Sequence, residues 1–540
     1  LSCRALGLTG SLLLAIGGAG CGALPGADPF VDWPGIRELR AAPLVAVAIG
    51  VAGVTLLVTA WLRLGKPAVK PAAGSAVEPA LSPRDAVVTF LWWAAPLAVA
   101  PPLFSRDVYS YLAQGAMAIR GINPYHHGPA MLGGPLDWDI PPVWQFTPAP
   151  YGPVFISAAT TVMRVVGDRT VPGVLGMRLV AMAGLLLIAR YGPGLARRAG
   201  VDPGAALWLG LLNPLVLVHF VGGAHNDALM VGLTIAGFAL AASGRENVGI
   251  IAVALGLLVK APALLALIFL VPVVARLPGL KRTAAAAVRV ALVAAATVVS
   301  ITVLVGLGYG WLHALNTPTK VRNGLSISTD VGLLIGYPMN WLGVATLDGV
   351  IGACRAVGLA AALVAIAVAA FRARRLGPLY ALGLALTALV VLGPILHPWY
   401  LLWGFVPLAL AAPDGLVRRL VVVGSTGGAF LLMPDGERRP TEMVAGAAGL
   451  VLALGLLRLI SQAPGPSVGA NPEPSDRAGR DVVQREPVPV DAETADDAGG
   501  DRGHDRVVPE LLARVDVGDV HLDQEATEQG AGVPNRVRVV

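Results

Sequence analysis

The sequence predicts an all-α polytopic integral membrane protein: a bundle of about 12–14 transmembrane helices with a large extracytoplasmic loop, juxtamembrane helices and a disordered C-terminal tail. Three observations carry this. Of 540 residues, 55% are hydrophobic and 14% charged, with a mean hydropathy of +0.69, whereas soluble domains are about 25% charged. Apolar runs of helix-spanning length recur from residue 5 to residue 460, and the short alternating segments of a membrane barrel are missing. Lys and Arg gather in alternate connections, which orients the helices, since such connections face the cytoplasm. The formal charge of +6 is what these connections supply and does not point to nucleic acid. The three cysteines, Cys3, Cys21 and Cys354, lack metal-ligand spacing and read as packing residues.

Taken in order, the first apolar run, 5–24, resembles a signal peptide, but a second follows closely at 42–62, so a retained helix is expected. Arg63, Lys66, Lys70 and Arg84 place the next connection inside. A third span, 86–103, then delivers Asp107 to the outer face. Residues 104–151 form the first large outer loop, dense in Tyr, Trp, His and Pro; a loop this long in a compact protein is usually functional or disordered, and its composition argues for function. The run 154–166 is too short to span, and if it did, Arg190, Arg197 and Arg198 would fall outside. It is therefore expected as a juxtamembrane or re-entrant helix.

Spans are expected next at 174–188, 205–221 and 228–242. Two short segments, 248–259 and 262–275, flank Lys260 and are bounded by inner basic residues, so they should form a hairpin with Lys260 at its outer turn. A span at 290–305 leads to the second outer loop, 306–323, which carries Trp311, His313, Lys320 and Arg322. Residues 327–344 read as another re-entrant piece. Spans near 349–370, 376–392, 400–412, 420–433 and 444–460 complete a membrane domain of residues 1–460, about fourteen spans in all. From 461 to 540 Pro, Asp, Glu, Gly and Arg dominate, the composition of a disordered cytoplasmic tail.

Ionisable groups at membrane depth or its rim are costly and usually functional. This topology brings Asp107, His225, Asn226, Asp227, Lys260, His313, Arg322 and His397 to one face. Asp107 reads as a helix cap paired with Arg106, or as a general base for an incoming hydroxyl. Asn226 and Asp227 read as helix caps or as hydroxyl-binding groups. Lys260 is either a snorkelling lysine or the point charge for a lipid phosphate, with Arg322 as a second candidate. The aromatic stretches around Tyr125, Trp138, Trp144 and Tyr151 suit interfacial anchoring or sugar stacking.

Six motifs taken together resemble a known family: Asp107-Val-Tyr109-Ser-Tyr, Gly121-Ile-Asn-Pro-Tyr125, Thr147-Pro-Ala-Pro-Tyr-Gly-Pro153, Asn213-Pro-Leu, His225-Asn-Asp-Ala-Leu-Met230 and His397-Pro-Trp-Tyr400. They are similar to those of actinobacterial polyprenol-phosphate-mannose-dependent α-1,6-mannosyltransferases of the MptB type, over roughly residues 1–460. The resemblance implies a GT-C class membrane glycosyltransferase. It implies a polyprenyl-phosphate-mannose donor and an α-1,6-mannan acceptor on a membrane glycolipid, the core of lipomannan and related lipoglycans. It also implies an inverting transfer in the plasma membrane, on the extracytoplasmic side, with Asp107 as base. Arg106, Tyr109, Tyr125, His225, Asn226, Asp227, Lys260, Arg322 and His397 are the expected donor- and acceptor-binding residues. No cofactor is expected, because mannosyl phosphate is already activated; a divalent metal is left open. The rival class is a flippase or transporter of lipid-linked sugars. Against it, the Pro-broken hairpin at Lys260 has no convincing partner in a second repeat.

Overall fold

The computed structural model describes residues 2–65, 81–316 and 325–436, with scattered positions from 444 to 458. The chain through Gly465 forms one compact unit. The expected tail at 461–540, and nearly all of the expected span at 444–460, lie outside the described residues. Those described are helix and turn, with no strand.

Lipid tails are as apolar as leucine, so helices in a membrane associate by close packing of small residues. The first two helices, α1 (Cys3–Cys21) and α2 (Pro43–Leu64), show this. A Cβ on Gly10 would lie 2.6 Å from the Leu57 backbone nitrogen, and one on Gly17 2.6 Å from that of Gly50. The third helix, α3 (Pro83–Val99), starts where the Ser82 hydroxyl accepts the Asp85 N–H.

Residues 104–151 are not simply a loop. They open with α4 (Asp107–Ile119), buried from Val108 to Met117, which packs on α5 (Pro153–Val166), the expected juxtamembrane helix. Gly115 sits so close to it that a Cβ would come within 2.6 Å of the Ala159 carbonyl oxygen.

Helix α6 (Thr170–Arg198) is longer than the 174–188 run suggests. The expected span at 205–221 is interrupted. Helix α7 (Pro203–Gly210) stops short, and Val216–Gly222 forms a π-helical turn bent 111° from α8 (Asp227–Ala242). The cause is Asn213-Pro214. The proline has no N–H for the helix ladder, and the Asn213 amide holds the break, donating to Leu209 O and to the distant Ser425 Oγ and accepting from Leu215 N. π-turns of this kind concentrate at functional sites.

Helices α9 (Glu246–Leu257) and α10 (Ala263–Ala275) form the expected hairpin about Lys260. Helices α11 (Leu280–Val305), α12 (Ile327–Trp341), α13 (Leu347–Leu376), α14 (Pro378–Leu392), α15 (Leu401–Ala411) and α16 (Leu416–Gly428) follow. Among the described residues, α1, α2, α6, α11 and α13 are long and apolar enough to cross a bilayer, and the bent pair makes a sixth candidate. Helices α5, α9, α10 and α14 and the segment Pro398–Ala411 are apolar but shorter. Several apolar windows are therefore short helices separated by turns, and those turns carry the polar side chains discussed next. Irregular backbone at membrane depth is tolerated where protein buries it.

Candidate active site

Four turns meet at one end of the bundle. The first leads from α3 into α4 and carries Asp107. The second follows the π-turn and carries His225, Asn226 and Asp227. The third joins α9 to α10 at Lys260, and the fourth is the turn His397–Tyr400 before α15. Leu103 N donates to Gly222 O at 3.3 Å, joining the first two directly.

Each of these first two turns contains a non-glycine residue with left-handed backbone, Phe104 at φ 61° and Ala224 at φ 55°. Only Arg276 shares that property among the described residues. Such conformations persist where the surroundings over-determine them, and they cluster at functional sites. Phe104 is held by its N–H to Pro434 O, 2.7 Å. The third turn is fixed by Gly152, whose N–H donates to Val259 O. A Cβ there would lie 2.3 Å from Leu258 O, so the close approach needs glycine.

The two aspartates differ in their surroundings. Asp227 is buried and fully engaged: Lys260 Nζ lies 2.8 and 2.9 Å from its two oxygens, and Trp403 Nε1 donates to one of them at 2.5 Å. The Lys260 ammonium also sits 4.6 Å from the Tyr400 ring centre, 5.5 Å from Trp403 and 5.7 Å from Tyr151, an aromatic cage for a cation. Asp107 keeps 20% of its side chain exposed, and Oδ2 lies 3.7 Å from His225 Nδ1. Burial raises its pKa to about 6, with Lys260 pulling the other way and Asp227 adding to the rise. The two carboxylates divide the roles by their surroundings, one held by a cation and the other not held by a cation among the described residues. Asp227 fixes Lys260, and Asp107 can take a proton near neutral pH.

Beside Asp107, the rings of His225, Trp399 and His397 form a stack with centres 4.0 and 4.4 Å apart. Buried polar atoms collect here with no hydrogen-bond partner among the described residues: His219 Nδ1, His225 Nε2, both amide atoms of Asn226, and Trp399 Nε1. Each such group left dry costs about 1–3 kcal/mol, so the cluster holds donors and acceptors that could meet a polar group.

The expected residues therefore sort into three sets. Asp107, His225, Asn226, Asp227, Lys260 and His397 come together. Arg106 and Tyr109 instead fasten the outer segments. Arg106 donates to Asp139 O and Leu24 O, and Tyr109 to Ala23 O. Tyr125 is buried under the second outer loop: Asn123 Nδ2 donates to Leu307 O, and a Cβ on Gly310 would meet Tyr125 Cβ at 2.6 Å. His313 is exposed, and Arg322 and Lys320 lie outside the described residues. Sequence reasoning missed Tyr111 and Trp403. Tyr111 stands four residues after Asp107 on one helix, its hydroxyl 3.5 Å from His225 Nδ1. Trp403 stands three residues after Tyr400. In both cases helical spacing from a residue already singled out was the available signal.

Behind Tyr109, a cavity of about 770 Å³ runs between α1, α3 and α6. Its walls are apolar, from Leu12, Ile16, Val99, Val174 and Leu175 among others, and Trp33, Asp28 and Arg40 also line it. Asp28 and Arg40 form an ion pair.

Residues 4–276 match the model of a family described as α-(1→6)-mannopyranosyltransferase, N-terminal domain, and residues 328–459 match the MptB C-terminal domain. The chain is 37% identical over 447 residues to α-(1→6)-mannopyranosyltransferase A of Mycobacterium tuberculosis, covering 80% of this chain and 84% of that protein. It is 32% identical over 493 residues to α-(1→6)-mannopyranosyltransferase B of Corynebacterium glutamicum, covering 85% and 81%. No solved structure matches.

Proposed function

The chain belongs to the α-(1→6)-mannopyranosyltransferase family, and on that premise we propose that it moves mannose from a polyprenyl-phosphate carrier to a growing α-1,6-mannan. The acceptor is borne on a membrane glycolipid, as in the core of lipomannan and related lipoglycans. Asp107 takes the proton from the acceptor 6-hydroxyl. That oxygen attacks the anomeric carbon on the face opposite the phosphate, the carbon–phosphate-oxygen bond breaks, and a β-linked donor gives an α linkage. Polyprenyl phosphate leaves with the bonding electrons. Lys260, held by Asp227 and caged by rings, stabilises the charge developing on the phosphate. The activated donor makes no demand for a metal or nucleotide.

One observation carries this reading. Asp107 is the carboxylate of the cluster with no Lys or Arg partner among the described residues, partly reachable, and raised to about 6, beside polar groups unpartnered among those residues and suited to sugar hydroxyls. The apolar cavity behind Tyr109 has room for an isoprenoid tail, which supports a lipid-linked donor. Sidedness follows from charge. Arg197 and Arg198 end α6, and Arg245, Arg276 and Arg289 gather about Glu246 at the start of α9, the end of that helix away from Lys260. A cytoplasmic basic end, as the positive-inside rule expects, supports a site on the outer side of the plasma membrane.

The test is incubation of membranes carrying the protein with radiolabelled polyprenyl-phosphate mannose and a short α-1,6-mannoside, followed by linkage analysis. Label extended as α-1,6-mannose, lost with Asp107→Asn at equal expression, is the expected result. Near-normal transfer by a well-expressed Asn variant removes Asp107 from the role.

A further inference from the structure

Arg178 lies inside the apolar helix α6 and is 2% exposed. A charge at such depth is usually paired, yet among the described residues it has no ion-pair partner. Its guanidinium makes five hydrogen bonds, all to backbone carbonyls. Nη1 donates to Ala98 O at 2.9 Å and Ala100 O at 2.5 Å, and Nη2 to Pro101 O at 3.1 Å. Nη2 also reaches Gly222 O at 2.9 Å, and Nε reaches Val221 O at 3.2 Å.

These five carbonyls belong to two segments. Ala98, Ala100 and Pro101 are at the unwound end of α3, just before left-handed Phe104 and Asp107. Val221 and Gly222 end the π-turn, just before left-handed Ala224 and His225. The last carbonyls of a helix have no partner of their own, and at membrane depth each needs one. One planar fork satisfies both sets and ties them together. Lysine, with three donors on a single point, cannot span both segments in this way.

We propose that Arg178 is a positioning residue for the transfer: by clamping the two turns it sets Asp107 against His225 and Asp227, and holds two strained backbones in place. This rests on the reading of Asp107 as base. Arg178 lines the apolar cavity, but its N–H groups go to backbone carbonyls, so it acts on Asp107 through the two turns rather than on the reacting atoms.

The test uses the full chain in lipid nanodiscs, comparing Arg178→Lys and Arg178→Met with wild type per unit of monodisperse protein. A displacement of about 1 Å of a catalytic group can cost about a hundredfold in rate. The expected result is a kcat reduced about thirty- to a hundredfold in the Lys variant and further in the Met variant. KM for polyprenyl-phosphate mannose should stay within about threefold, and the acid limb of the pH–rate profile should move from its wild-type position. A Lys variant with wild-type kcat and acid limb overturns the proposal, whatever its thermal stability. So does a raised KM with kcat kept. Loss of folded protein in both variants also overturns it, since Arg178 would then support the whole bundle rather than the site.

A second readout does not need turnover. A Cβ on Gly222 would lie 3.3 Å from Leu103 Cβ, near the separation a disulfide requires. The pair Leu103→Cys and Gly222→Cys should cross-link readily with Arg178 present and about tenfold more slowly with lysine there, for loss of the clamped geometry. Equal rates overturn the clamp. Absence of mannose transfer by the wild type, together with Arg178-dependent cross-linking of the cysteine pair, overturns the functional reading and leaves the clamp standing.

Discussion

Lys260 Nζ lies 2.8 Å from Asp227 Oδ1 and 2.9 Å from Oδ2, so this cation is bound to one aspartate, and the other, Asp107, has no Lys or Arg partner among the described residues. The pair is buried, with 8% of Lys260 exposed and none of Asp227. Removing one partner of such a pair strands a charge, and this is worth about 3–5 kcal/mol, while replacing both with apolar groups is often neutral. Asp227→Ala should therefore lower the thermal unfolding temperature sharply, and the double change Asp227→Leu with Lys260→Met should recover most of it. Neither protein should transfer mannose. A double variant as unstable as the single would show that the pair does not act as a unit.

With Asp107 as the proposed base, its pKa makes the transfer pH-dependent. The group must be ionised to accept a proton, and burial holds its pKa at about 6. Transfer should fall about tenfold per pH unit below that value and level off above it. The same shift has a stability sign. A carboxyl raised in the folded state favours the fold below its unfolded pKa, near 3.8, and that contribution is lost as pH rises through about 6. Asp107→Asn removes the group that must ionise. It should thus raise the unfolding temperature relative to wild type at pH 7.5 and leave it little changed at pH 3.5, below the unfolded pKa. An equal difference at both pH values would locate the titration elsewhere.

Gly152 supports the Lys260 turn by contact of backbone with backbone, and a Cβ there has no space. Gly152→Ala should displace the Val259–Lys260 turn from Tyr151 and cost about 1–3 kcal/mol. Melting of the purified variant measures the loss, and donor KM should rise because Lys260 moves. Wild-type values of both would mean that the turn adapts without moving the lysine.

Much of this arrangement was legible in the sequence, and the remainder had identifiable reasons to be hidden. Lys260 between two short apolar runs, bounded by inner arginines, pointed to a hairpin turn, and α9 and α10 form one. Gly222-Gly-Ala-His225-Asn-Asp227 announced a break followed by a helix. Helix α4 was obscured because Tyr109, Ser110, Tyr111 and Gln114, polar by type, are all buried in it. The break in the 205–221 run depended on Asn213 meeting Ser425, 212 residues away. Trp403 as a donor to Asp227 and Arg178 as a backbone clamp depend likewise on three-dimensional neighbours, which a window of hydropathy averages away.

Ala224, at φ 55°, gives the last prediction, because it isolates backbone conformation from side-chain chemistry. A left-handed L-residue costs about 1–2 kcal/mol, and glycine has no such penalty. Ala224→Gly should keep transfer within about twofold of wild type, with the relief of strain offset by the extra freedom of the unfolded chain. Ala224→Val is harder to accommodate, since a β-branched residue at positive φ is an outlier. It should either push His225 and Asp227 out of register or unfold the turn, lowering kcat by about tenfold or more. Activity and circular dichroism on the same preparations separate these outcomes. If valine were as active as alanine, the left-handed turn would not be what presents His225 to Asp107.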